Sequence, residues 1–133
     1  MKLVFSFKNK LGFCIACLAA MVLLGAKAYA TNDISADQYT AMDKEGLILV
    51  DVRTPEEYAD GHIPNAINLP VAELPELLDA LPNKDQKLVV YCRSGFRAGK
   101  AIDYLKSQGY TSLQHLDGDY SGWAKENRPI TKP

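Results

Sequence analysis

Two short runs of apolar, mostly branched residues constrain the fold of this chain more than any other feature. They are Leu47–Val52, interrupted by the single acidic residue Asp51, and Leu88–Tyr91. Runs that are apolar at consecutive positions are typical of parallel strands covered on both faces. A pattern typical of a helix follows each run. The sequence therefore predicts an α/β fold with a mostly parallel central sheet flanked by helices on both faces.

Helix and strand patterns alternate along the rest of the chain as well. The segments that begin at Ser35 and at Thr54 resemble capping boxes, which predict a helix over about 36–45 and a short helix from Pro55 to Gly61. The remaining expected elements are a strand over 66–70, an amphipathic helix over 72–81, a helix around 98–105 that stops near Gly109, a strand over 112–116 and a helix over 120–126.

The first thirty residues have the pattern of an export signal. Lysines precede an apolar run over 11–25, and Ala28-Tyr29-Ala30 has the small-x-small pattern of a signal-peptidase site. The run is shorter than the roughly 20 residues that span a bilayer as a helix. We expect cleavage after Ala30, which would leave 31–133 as one periplasmic or secreted domain without stable membrane association. The alternatives are an uncleaved anchor and a lipoprotein attached through Cys17.

Cleavage would change both the charge and the cysteine content. The whole chain has 15 basic and 16 acidic residues, and the first thirty residues contain four lysines and no acid. The domain would therefore be acidic, which argues against nucleic-acid binding. Cys92 would be its single cysteine. In an oxidising compartment an unpaired cysteine is buried and inert, forms an intermolecular link or acts as a nucleophile.

The neighbours of Cys92 favour the nucleophile. The thiol follows a buried strand and precedes a helix, at the sheet edge where α/β folds bind ligands. Gly95 permits an unusual φ, so a tight loop there can point its N–H groups inward as an anion-binding nest. Arg93 and Arg97 add positive charge near the sulfur, which favours the reactive thiolate. We therefore predict a nucleophile rather than a small core residue.

The segment Cys92–Arg97, Cys-Arg-Ser-Gly-Phe-Arg, resembles the active-site loop of the rhodanese sulfurtransferases, of the thiosulfate-using subtype. Two stretches within 51–68 resemble the first signature of that family. Gly118–Trp123 resembles its closing glycine–tryptophan segment, although Ser121-Gly122 stands where a doubled glycine is often seen. The similarity covers nearly all of residues 33–127. Together with the export signal, it makes the chain similar to the single-domain periplasmic rhodaneses of the phage-shock type.

This resemblance implies a rhodanese-like three-layer fold and a two-step sulfur transfer. Cys92 would attack the outer sulfur of thiosulfate, release sulfite and become a persulfide, from which cyanide or a thiol would remove the sulfur. Arg93 and Arg97 would bind the dianion. No metal or organic cofactor would be needed, and a monomer is the expected state. The residues whose backbone amides would hold the terminal sulfur are Arg93, Ser94, Gly95, Phe96 and Arg97.

Two alternative functions remain open for this loop. Cysteine phosphatases and arsenate reductases also hold a thiolate among backbone amides, but their motif has five residues between cysteine and arginine. Here four residues, 93–96, intervene, which predicts a smaller loop that suits one sulfur atom better than a tetrahedral phosphate. The second alternative is a sulfur carrier, which would pass its persulfide to a partner protein with little turnover of thiosulfate.

Four further residues have less specific interpretations. Asp51 ends a buried strand close to the predicted loop. One hypothesis is that its carboxylate pairs with loop groups and orders them, and the other is that it caps the following turn. We expect His62 to be structural, His115 to be a packing or surface residue, and Trp123 to close the core.

Overall fold

The computed structural model describes residues 32–133, so the predicted export signal and its cleavage site lie outside the described residues. Five strands form one sheet in the order β1-β5-β4-β2-β3, and every pairing between them is parallel. The predicted α/β architecture with a parallel sheet is confirmed. In chain order the elements are β1 (Asn32–Ile34), α1 (Ala36–Ala41), β2 (Leu47–Asp51), α2 (Pro55–Asp60), β3 (Ile67–Asn68), β4 (Lys87–Tyr91), α3 (Phe96–Ser107), β5 (Leu113–Leu116) and α4 (Asp119–Lys125).

The two apolar runs form the neighbouring strands β2 and β4 inside the sheet. Their side chains alternate between two hydrophobic cores, one on each face. Val50 and Val90 belong to the core beneath α3, whereas Leu49 and Val89 belong to the core beneath α1 and α4. All four side chains are buried, which explains why the runs are apolar at consecutive positions. The result is a three-layer arrangement with helices on both faces.

Both predicted capping boxes form, at Ser35 with Gln38 and at Thr54 with Glu57. The first helix, however, ends at Ala41 and not near 45 as expected. The chain turns into an extended conformation at Met42, and the Lys44 ammonium donates to the carbonyl oxygens left at the helix end. Satisfying these carbonyls makes the early end possible. Within 32–133, no helix is both long enough and apolar enough to cross a membrane.

The prediction of an amphipathic α-helix over 72–81 is wrong. The segment forms two 3-10 helices, Val71–Glu76 and Leu78–Ala80. Pro75 lies inside the first of them, and a proline there has no N–H to donate and is incompatible with the α-helical ladder. The leucine spacing nevertheless identified buried side chains, because Leu74 and Leu81 lie in the core.

Strand β1 was not expected. Its sequence, Asn-Asp-Ile, has no apolar run, yet it pairs in parallel with β5, Asn32 opposite Gln114 and Asp33 opposite His115. It is an edge strand, so its backbone hydrogen bonds rather than its side chains define it. This pairing places the Asp33 side chain next to His115, which matters for the site described below.

Candidate active site

The predicted loop lies at the carboxyl end of β4, between that strand and the first turn of α3. Cys92 is buried, and its Sγ accepts a hydrogen bond from the backbone N–H of Gly95 at 3.0 Å. Gly95 has φ 109°, in the left-handed region that favours glycine, and it is the N-cap of α3. The first N–H groups of a helix have no intrahelical partners. The loop can therefore hold a thiolate or another anion near the sulfur.

Three hydrogen bonds from the start of α4 fix the base of this loop. The Asp119 carboxylate accepts from the backbone N–H of Cys92 at 2.9 Å. In the opposite direction, the N–H of Tyr120 donates to the Cys92 carbonyl, and the N–H of Ser121 donates to the Arg93 carbonyl. Both backbone groups of Cys92 are thus held by one short segment. The sulfur is placed by α4 as well as by β4.

The two predicted arginines occupy different environments. Arg93 is exposed and borders a cleft of about 580 Å³ that Arg53, Tyr120 and Lys125 also line. Within residues 32–133, its guanidinium forms no hydrogen bond or ion pair. Arg97 instead binds Glu57 of α2 through both terminal nitrogens, at 2.6 and 3.0 Å.

The Arg97–Glu57 pair shifts the ionisation of both partners. The hydrogen bond from Arg97 lowers the pKa of the Glu57 carboxyl to about 2, and the same bond raises the pKa of Arg97. Both groups are therefore charged near neutral pH, and the positive charge of Arg97 is largely compensated. Arg93 is the arginine of the loop that is free to bind an anion directly.

Two other predicted loop residues face outward. Ser94 is exposed, and Phe96 has 73% of its side chain exposed, with the Lys100 ammonium 4.6 Å from its ring. Their side chains do not contact Cys92 through any hydrogen bond in the described part of the chain.

The Asp51 carboxylate forms no hydrogen bond to residues 92–97 of the loop, so the structure does not contain the expected pairing. Its carboxylate accepts from the backbone N–H, Nε and Nη2 of Arg53, at 2.7–3.1 Å, and both residues are buried. Arg53 also donates to the Gly61 carbonyl. The hydrogen bond from the Arg53 backbone N–H agrees with the alternative hypothesis, in which Asp51 caps the following turn. The side-chain pair joins the end of β2 to the end of α2.

His62 is buried and is packed as expected of a structural residue. Its ring stacks on Tyr58 with the ring centroids 3.7 Å apart, and its Nδ1 donates to the Tyr58 carbonyl. Its backbone pairs with Thr131. Trp123 is buried in the core beneath α1 and α4, also as expected.

Sequence reasoning missed Asp119 and assigned His115 no role in the site. His115 Nε2 lies 3.0 Å from both carboxylate oxygens of Asp119, which in turn holds Cys92. The signal available in the sequence was the spacing of four residues between a histidine and an acid. That spacing is common, and only the fold places the pair behind the loop.

Comparison with known proteins agrees with this architecture. A family model for the Rhodanese-like domain matches residues 35–126. A sulfurtransferase of Allochromatium vinosum is 44% identical over 104 residues, which cover 77% of this chain and 96% of that protein. The thiosulfate sulfurtransferase PspE of Escherichia coli is 39% identical over 70 residues, which cover 52% of this chain and 67% of that protein.

A solved structure gives the same result at the level of the fold. A rhodanese with anions from E. coli superposes with a TM-score of 0.57 at 34% sequence identity, covering 65% of this chain and 99% of that one. The match spans the whole of that protein, so the similarity concerns a complete domain and not a shared fragment.

Proposed function

This chain belongs to the rhodanese-like family of sulfurtransferases, and from that membership we propose that it transfers the outer sulfur of thiosulfate to cyanide or a thiol through a persulfide on Cys92. Family membership supports sulfur transfer between small donors and acceptors. The observation that supports Cys92 as the reacting group is the contact of its Sγ with the Gly95 N–H, inside the loop that begins α3.

In the first step the Cys92 thiolate attacks the outer sulfur of thiosulfate. A sulfur–sulfur bond forms to Cys92, the sulfur–sulfur bond of thiosulfate breaks, and sulfite leaves with the bonding electron pair. The product is a persulfide whose terminal sulfur is negatively charged. The Gly95 N–H and the amides at the start of α3 would stabilise that charge, because they are fixed donors before the reaction begins.

In the second step the acceptor attacks the terminal sulfur of the persulfide. With cyanide the product is thiocyanate, and the Cys92 thiolate is regenerated as the leaving group. With a thiol, a new persulfide forms on the acceptor. Arg93, which follows Cys92 in the chain, borders the cleft and would attract the thiosulfate dianion, since its charge has no partner in the described part of the chain.

We also propose that the protein is exported, with cleavage after Ala30, and acts as a periplasmic or secreted monomer. The basic start, apolar run and small-x-small motif of the first thirty residues support this. The intact mass of the protein purified from a bacterial host that expresses the full chain tests the cleavage. A mass that begins at Thr31 is expected, and a mass that retains the first thirty residues would contradict it.

Thiocyanate formation from thiosulfate and cyanide tests the proposed reaction. Protein expressed from the full chain should catalyse thiocyanate formation. The Cys92→Ser variant should form no thiocyanate above the uncatalysed background. Turnover that survives in the variant would contradict the assignment of Cys92. A wild type that takes up sulfur from thiosulfate but forms thiocyanate only slowly would favour the sulfur-carrier function instead.

A further inference from the structure

A buried carboxylate lies directly behind the Cys92 loop. Asp119 has 3% of its surface exposed, and its Oδ1 lies 2.9 Å from the backbone N of Cys92. Its Oδ2 lies 3.2 Å from the point that a Cβ on Gly95 would occupy. Asp119 also has φ 52°, a backbone conformation that residues other than glycine adopt uncommonly. Such conformations concentrate at functional sites.

His115 holds this carboxylate from the other side. Its Nε2 lies 3.0 Å from each oxygen of Asp119, and its Nδ1 lies 3.2 Å from Oδ1 of Asp33 on β1. Both ring nitrogens face carboxylates, and only the protonated ring can donate to both at once. The hydrogen bond to Asp119 accordingly raises the pKa of His115 above its ordinary value.

We propose that Asp119 and His115 are positioning residues for Cys92: the Asp119 carboxylate holds the Cys92 backbone, and the His115 ring holds that carboxylate and balances its negative charge. The inference rests on the proposed function only in taking Cys92 as the reactive group. A carboxylate so close to an anion-binding loop would by itself repel the anion. The protonated ring removes that repulsion while the hydrogen bond to Cys92 stays in place.

The proposal implies that the charge behind the loop changes with pH. The titratable groups within hydrogen-bond distance of the His115 ring are Asp119 from α4 and Asp33 from β1, and Asp119 in turn accepts from the Cys92 backbone N–H. While His115 is protonated, it compensates Asp119. When His115 loses its proton at higher pH, one ring nitrogen can still donate to Asp119, but the negative charge behind Cys92 is no longer balanced.

Alkylation of Cys92 by two reagents measures this charge without any sulfur donor. Iodoacetate is an anion and iodoacetamide is neutral, and both react with the same thiolate. The ratio of the two rates therefore cancels the thiolate fraction and reports the local charge. In protein expressed from the full chain, the Cys92 peptide is quantified by mass spectrometry from about pH 6 to about pH 9. We expect the ratio of the iodoacetate to the iodoacetamide rate to fall about threefold to tenfold as His115 loses its proton.

Substitutions separate the charge from the hydrogen bond. Asp119→Asn keeps an oxygen that can accept from Cys92 but removes the charge, so at high pH, where His115 is neutral, its ratio should exceed that of the wild type. Asp119→Ala removes both, so both reagents should react about tenfold more slowly than with Asp119→Asn. His115→Gln should give a low ratio at every pH. His62→Gln changes the other histidine of the chain and should keep the wild-type fall.

A wild-type ratio that stays constant over the whole pH range would overturn the proposal, and this result needs no variant to fold. A fall that persists in His115→Gln, a ratio in Asp119→Asn no higher at high pH than that of the wild type, or a loss of the fall in His62→Gln would overturn it as well. The proposed function is tested separately by thiocyanate formation. A protein that shows the expected ratio but no turnover would refute the thiosulfate reaction and leave the positioning role intact.

Discussion

The carboxylate of Asp51 and the guanidinium of Arg53 form an ion pair that is almost completely removed from water. Arg53 also donates to the Gly61 carbonyl, and its guanidinium lies 4.0 Å from the centre of the Tyr120 ring. The pair therefore connects the end of β2 with α2 and α4 around the cleft. In a buried pair, loss of one partner costs more than the pair contributes, because the other charge is left without compensation.

Asp51→Asn should therefore destabilise the fold rather than alter the chemistry of Cys92. We expect the free energy of unfolding in urea to fall by about 3 kcal/mol. The matched control is Asp103→Asn, the same change on the exposed side of α3, which should shift it by less than about 0.5 kcal/mol. Unchanged stability with lost turnover would instead assign Asp51 a role in ordering the loop.

Glu57 compensates the positive charge of Arg97 in the Cys92 loop. Because Glu57 is ionised and bound to both terminal nitrogens of Arg97, Glu57→Gln should release a net positive charge near Cys92. The KM for thiosulfate should fall about threefold with little change in kcat. Glu56→Gln, on the same helix but exposed, should leave KM unchanged. A higher KM in Glu57→Gln would mean that Glu57 positions Arg97 for the substrate.

At the scale of elements, the first turn of α3 is the part of the fold that forms the loop around the sulfur. It contains Gly95 at the N-cap with a positive φ, followed by Gly99 within the helix. A Cβ on Gly95 would meet Asp119 Oδ2 at 3.2 Å, whereas a Cβ on Gly99 would meet nothing within 4 Å. Position 95 therefore requires glycine more strictly than position 99 does.

Gly95→Ala and Gly99→Ala form a matched pair that tests this difference. Gly95→Ala should lower the free energy of unfolding by about 1–3 kcal/mol through backbone strain, and it should slow alkylation of Cys92. Gly99→Ala should raise the free energy of unfolding by about 0.5–1 kcal/mol, because alanine favours the helix, without changing Cys92 reactivity. Equal effects of the two substitutions on Cys92 would show that the φ of Gly95 is not required.

The elements that could be predicted from the sequence are those with strong local signals. Consecutive apolar residues identified β2 and β4, and the capping boxes at Ser35 and Thr54 identified the starts of α1 and α2. The leucine spacing over 72–81 predicts an α-helix, but Pro75 interrupts the α-helical hydrogen-bond ladder there. Strand β1 has no apolar signal, since an edge strand is defined by its backbone partner.

The candidate site was predictable only in part, for a related reason. Cys92 and Gly95 lie in one loop, so their contact follows from local sequence. Asp119 reaches the same loop from 27 residues away, through the packing of α4 against the end of β4. Asp33 reaches His115 from the opposite end of the domain sequence. Contacts of this kind depend on the order of strands in the sheet, which the pattern of elements does not specify.

At the scale of the whole molecule, the ion pairs at the carboxyl edge of the sheet include Asp51–Arg53, Glu57–Arg97 and His115–Asp119. The Glu57–Arg97 and His115–Asp119 pairs make the free energy of unfolding depend on pH in opposite directions. The pKa of Glu57 is lowered to about 2, so its contribution is present above its ordinary pKa and is lost as the pH falls towards 2. The pKa of His115 is raised, so its contribution is lost at high pH.

His115→Gln should therefore cost stability mainly at low pH. Because the pKa of His115 is raised in the folded protein, the protonated ring stabilises the fold fully when the pH is below the ordinary pKa near 6.5. This stabilisation disappears as the pH rises through the pKa that His115 has in the folded protein. The difference in Tm between wild type and variant should be several degrees near pH 5.5 and smaller near pH 9. A difference that does not change with pH would show that the protonated ring adds no stability.

The mass of Cys92 after exposure to thiosulfate tests the central claim most directly. In protein expressed from the full chain and treated with thiosulfate alone, the peptide that contains Cys92 should gain one sulfur atom. Cyanide should then remove that atom, and Cys92→Ser protein should gain none. A Cys92 peptide that keeps its original mass, while thiocyanate still forms when cyanide is added, would contradict a persulfide on this residue.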